Sequence, residues 1–164
     1  MRRFIISILL FLPIVACAQR FAVVDLQAVL ESLDEYLTAE RTLFDLSQKY
    51  HAEYDRMSAD IDKKFEDYQS LNTTTNPPQT IRERRVQEIQ EMQKRAQQFL
   101  ISAEDDLKTR REDMLRPINE KVDAAIKDAG IEGGFSFIFP LGTPLFFGID
   151  VEDITESIKE KLTL

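Results

Sequence analysis

The chain has one cysteine, one histidine, no tryptophan and only five glycines. Cys17 lies inside an N-terminal apolar run, so no thiol remains downstream to form a disulfide or a thiolate metal site. His51 has no second histidine or cysteine to share a metal with, which argues against such a site. Beyond residue 18 no stretch approaches the roughly 20 apolar residues of a membrane-spanning helix. There is no GxxxxGK[ST] phosphate loop. Asp25 follows an apolar strand, a place where α/β enzymes can hold a catalytic carboxylate. No nucleophile, base or Gly-rich loop accompanies it, so it reads as a strand-end cap. Positive charge is also scarce. There are 21 basic and 29 acidic residues, a net charge of −8. Such a surface argues against general nucleic-acid binding. Together these absences argue against an enzyme and predict no cofactor.

The N-terminus reads as an export signal, residues 1–18. Arg2 and Arg3 are a positive n-region, and residues 4–15 are an apolar run too short to span a bilayer. Ala16-Cys17-Ala18 would be cut before Gln19. Ile14-Val15-Ala16-Cys17 also fits a lipoprotein box, cut before Cys17 and lipidated there. The product is then exported and soluble or, on the second reading, lipid-anchored through Cys17. Loss of Arg2 and Arg3 leaves 19 basic residues against 29 acidic ones, a net charge of −10.

What is present is a long charged helical pattern. FAVVDL at 21–26 reads as a short buried strand, because it is apolar on both faces. A turn or two of helix follows at 27–32. From Leu43 to Leu71, apolar residues recur at an average step of 3.5, the seam of a coiled coil, over a helix read as 38–71. Residues 72–78 carry Asn, Thr and two prolines and break the helix. A second helix, read as 79–129, has Thr80 and Glu83 as a capping box and Gly130 as its stop. Folding the chain back about Thr75 puts Pro117 opposite residue 33. It is read as an arm kink or, alternatively, as the first turn of a separate helix. After Gly134 the period becomes two. Phe135, Phe137 and Phe139 share one face, residues 140–144 are a turn, and 145–149 read as a second strand closing a β-hairpin. Asp153 or Thr155 caps a last amphipathic helix carrying Ile154, Ile158 and Leu162. The fold class is α+β, mostly helical. A helical arm (38–114, tip at 72–78) projects from a small β-rich body (19–37 and 115–164). So small a core is marginal alone, so the body is expected to oligomerise. Its core and interface candidates are Phe21, Val23, Val24, Phe135, Phe137, Phe139, Phe146, Ile154 and Ile158.

Three stretches now carry a resemblance: FAVVDLQAVL at 21–30, LRPINEKVDAAI at 115–126 followed by a Gly and aromatic strands, and DVEDITESI at 150–158. In this order they resemble the Skp/OmpH family of periplasmic chaperones, across essentially the whole processed chain. The resemblance implies a jellyfish-shaped homotrimer whose three helical tentacles enclose a cavity. In that family, unfolded outer-membrane β-barrel proteins are held there without ATP. One departure stands out. Some members are strongly basic, whereas this chain is acidic. Between Arg56 and Arg95 eight basic residues meet seven acidic ones. The outer arm is thus nearly neutral, and electrostatic capture of clients or lipid is not implied.

Off-seam apolar residues Phe44, Val86, Leu100, Ile101 and Leu115 are candidates for weak client contacts. Arg82, Arg84 and Arg85 near the tip are candidates for acidic client segments or lipid headgroups at a membrane surface. The bland reading of these arginines is a solvated helix end. Asn72-Thr73-Thr74 matches a glycosylation sequon by chance, since the signal looks bacterial. The competing function is a structural coiled-coil protein, lipid-anchored or not, that tethers or spaces envelope components.

Overall fold

The computed structural model describes residues 19–74 and 77–163, without the side chains at 72 and 74. The export signal, both cleavage readings, Cys17 and the centre of the tip lie outside the described residues. The chain is mostly helical, with one small sheet. In order it forms β1 (Arg20–Val24), α1 (Leu26–Glu31), α2 (Asp34–Thr74), α3 (Gln79–Gly133), β2 (Phe135–Pro140), β3 (Glu152–Asp153) and α4 (Thr155–Thr163). It divides into two compact units, residues 1–29 with 123–164 and residues 30–122.

In the first unit β1 is the central strand, and β2 and β3 both run parallel to it. A strand flanked on both sides reads as a continuous apolar run, and Ala22, Val23 and Val24 are buried. Phe21 pairs with Phe137, Ala22 with Ile138 and Val23 with Phe139. The expected β-hairpin is therefore wrong. Residues 145–149 form no strand, and β2 takes β1 rather than its neighbour in sequence. Two-residue alternation sorts side chains onto faces but does not name the partner strand. The parallel pairing rewards itself with an aromatic stack, Phe21 on Phe137 at 6.0 Å and Phe137 on Phe139 at 5.9 Å. After Pro140 the chain turns instead, with the Thr143 N–H donating to the Pro140 carbonyl.

Gly130 is not the end of α3. The helix runs on to Gly133, and Gly134, at φ 63°, supplies the left-handed residue that stops it. Gly130 has a packing role. A Cβ there would meet Ile138 Cδ1 at 3.2 Å. The capping box is also corrected. α3 starts at Gln79, directly after Pro78, and the Ile81 and Arg82 N–H groups donate to the Pro78 carbonyl. Glu83 accepts from the Gln79 amide at 2.7 Å rather than serving Thr80.

In the second unit α2 and α3 form the antiparallel hairpin. At 1.5 Å per residue their full lengths are about 62 and 82 Å. α2 begins four residues before the expected Thr38, because Leu33, Tyr36 and Ala39 extend the seam backward from Leu43. Asp34 and Glu35 fall in its first turn, favourable at the positive end of a helix. Arg111 pairs with Glu40 at 3.0 Å and Lys121 with Glu35 at 2.9 Å. These pairs bracket Pro117 against the first turns of α2, not against a residue before it. Pro117 lies within a continuous α3, so it does not start a separate helix.

Candidate functional site

The hairpin seam sets what is left outward. Ala39, Leu43, Ile89, Ala96, Ala103, Ile118 and Val122 are buried. Midway, the Tyr50 hydroxyl donates to Asp106 Oδ2 at 2.6 Å, and Arg110 Nε donates to the same oxygen at 2.6 Å. Tyr50 also meets Phe99 edge-on at 5.9 Å. The Tyr50 pKa is raised, first by its bond to Asp106. Asp106 is lowered, first by Tyr50 and then by Arg110. Nothing in the 3.5-residue period signalled this clasp.

Further out the cover thins. Phe65 and Ile81, both seam positions by period, are 49% and 43% exposed, whereas Leu43 is 3% exposed. Of the off-seam candidates, Phe44 (63%) and Ile101 (56%) are exposed, and Val86 lies open on a hollow shared with Tyr68. Leu100 and Leu115 are half-buried, Leu100 in a hollow with Tyr54, Ile61 and Ala96. The three arginines separate. Arg82 lines the Val86 hollow, Arg84 is exposed, and Arg85 pairs with Glu88 at 3.3 Å. Glu88 also meets Lys64 of the other helix at 3.3 Å, and Lys64 first, then Arg85, lowers its pKa.

The first unit splits the core and interface candidates by burial. Val23, Val24, Ile154 and Ile158 are core, with Ala22 and Val29, and Ile138 is half-buried against Gly130. Phe21 and Phe135 are half-buried, whereas Phe137, Phe139 and Phe146 stay exposed. An apolar hollow of about 510 Å³ lies among Phe21, Val23, Phe139, Phe146, Phe147 and Val151. Beside it Leu145 and Ile149 are fully exposed. The arginine that opens β1 was missed by the sequence reading. Arg20 donates to the Gly133 carbonyl and pairs with Glu152 at 2.7 Å, with its guanidinium 4.7 Å from the Phe135 ring.

Among the described residues no group of His, Cys, Asp and Glu is placed to hold a metal ion. No helix there is long and apolar enough to cross a membrane. Asp25 caps α1, accepting from the Ala28 N–H at 3.0 Å.

The family model described as outer membrane protein, OmpH-like, matches residues 20–162, which takes in both units. Among solved structures, a candidate outer membrane chaperone (OmpH-like) from Caulobacter crescentus superposes with a TM-score of 0.69 at 13% identity. It covers 88% of this chain and 83% of that one. At that identity the likeness is one of fold. No match is found among curated protein sequences.

Proposed function

The chain belongs to the OmpH-like family, and on that premise we propose that it is an ATP-independent holdase chaperone of the periplasm. It holds unfolded outer-membrane β-barrel proteins between helical arms and keeps them from aggregating. The observation that carries this reading is the set of large apolar side chains left open on an otherwise hydrophilic hairpin: Phe44, Phe65, Ile81, Val86 and Ile101. Scattered apolar groups give many weak contacts, each adding little, which suits a client that must be gripped without being fixed. Long helices with few tertiary partners are free to flex around it.

Residues 38–114 are the arm, and residues 19–37 with 115–164 are the body through which three copies assemble. The exposed Phe139, Phe146 and Phe147 on one hollow, with exposed Phe137 stacked on Phe139, support the assembly, because a soluble surface rarely leaves so much apolar area in one place. Arg84 is the tip cation best placed for acidic client segments or a membrane surface, since Arg85 is already paired.

The test is light scattering of a urea-unfolded porin diluted into the processed protein. Aggregation suppressed near one trimer per porin supports the reading. Unchanged aggregation by a stable oligomer contradicts it and favours an envelope spacer.

A further inference from the structure

Without its signal the chain has three sulfur atoms, those of Met57, Met92 and Met114. All three residues are half-buried on the two long helices. Two of them meet. Met57 on α2 and Met92 on α3 line one hollow of about 280 Å³ with Asp60, Ile61 and Arg95. Both stand on the seam, where the hairpin passes from its buried inner part to the outer part that leaves Phe65 and Ile81 half-exposed.

We propose that Met57 and Met92 form an oxidation-sensitive joint of the hairpin. A thioether here packs as a soft apolar filler. A two-electron oxidant of the peroxide class reaches it through the open hollow. A sulfur lone pair attacks one peroxide oxygen, and an S–O bond forms as the O–O bond breaks. The departing hydroxide takes the proton of the transferred oxygen. The thioether is oxidised to the sulfoxide and the peroxide is reduced to water. The product is polar and chiral, and a reductase can reverse it. Two sulfoxides at one level place two new dipoles in a seam that holds by apolar contact. Arg95 can donate to a sulfoxide oxygen, whereas Asp60 opposes one. A sulfoxide oxygen bonded to Arg95 is drawn out of the seam. The Tyr50–Asp106–Arg110 clasp is polar already and keeps the inner part closed. Oxidation therefore loosens the outer hairpin alone. The proposal does not depend on the holding of clients.

The experiment treats the processed protein with hydrogen peroxide, maps sulfoxides by peptide mass and follows hydrogen exchange. The expected result is oxygen added at Met57 and Met92. Exchange then becomes roughly five- to thirtyfold faster in residues 58–71 and 79–91, the span of a one to two kcal/mol loss. It stays unchanged in residues 34–49. Met57→Leu with Met92→Leu abolishes the change, Met114→Leu does not, and methionine sulfoxide reductase reverses it in the unaltered protein. The proposal is overturned if both sulfoxides form with exchange unchanged. It is overturned equally if Met57 and Met92 stay reduced at a dose that converts free methionine, or if the double variant still loosens.

Discussion

Thr155 joins three elements with one hydroxyl. The Asp25 N–H, at the end of β1, donates to its Oγ at 2.9 Å. Its own O–H and backbone N–H, at the start of α4, donate to Asp153 Oδ1 in β3. Thr155→Val keeps the shape but leaves the half-buried Asp25 N–H without its acceptor and takes from the Asp153 carboxylate one of its two donors, the backbone N–H remaining. It should cost about 1–3 kcal/mol in thermal or urea unfolding. The Asp153 pKa is lowered, first by the Thr155 hydroxyl, then by its N–H. A lowered folded-state value gives stability that is present above the ordinary Asp range, about 3.9. That stability is lost as pH falls through the folded value. The variant's stability should therefore fall less steeply than the wild type's below about pH 4. Gly134→Ala is a cleaner case. Nothing lies within 4 Å of a Cβ there, yet φ is 63°. The cost is conformational, about 1 kcal/mol, and Gly130→Ala instead depends on whether Ile138 yields. Both glycines were visible in the sequence, but the stop was assigned to Gly130. Gly130 follows the last seam residue and mimics a stop, and only the position of Ile138 shows it to be a packing site.

At the scale of the element, the hairpin was legible because a 3.5-residue seam persists through both helices around a proline-marked turn. The sheet was less legible. FAVVDL gave β1, and the Phe alternation gave β2. The partner of β2 lies more than a hundred residues upstream, beyond the reach of any local period. β3 is two charged residues, Glu152 and Asp153, with no apolar signal at all. The clasp was hidden because Asp106 and Arg110 look like any solvated pair. It makes a prediction for the hairpin. The raised Tyr50 pKa means that its bond to Asp106 is whole below the ordinary tyrosine range, about 10. The bond is lost as pH rises through the raised value, and on the acid side as pH falls through the lowered Asp106 value. Tyr50→Phe should remove the alkaline loss of helicity and leave the acid one reduced, as read by circular dichroism against pH. Phe44→Ser with Ile101→Ser should leave helicity intact, since both side chains are exposed. It should weaken suppression of porin aggregation several-fold.

At the scale of the whole molecule, the chain carries a hydrophilic hairpin with open apolar side chains and a small sheet with exposed aromatic side chains. On the proposed reading, with the signal removed and a net charge of −10, client capture rests on apolar contact, with Arg84 and its neighbours a local addition. Holding should therefore persist at high salt, because screening acts on charge and leaves apolar burial intact. The most direct test is sedimentation of the processed protein alone and with a urea-diluted porin at high salt. The account predicts a species of three chains alone and, with porin, one of three chains plus one client. A single-chain species, or a trimer that sediments apart from the porin, would contradict it.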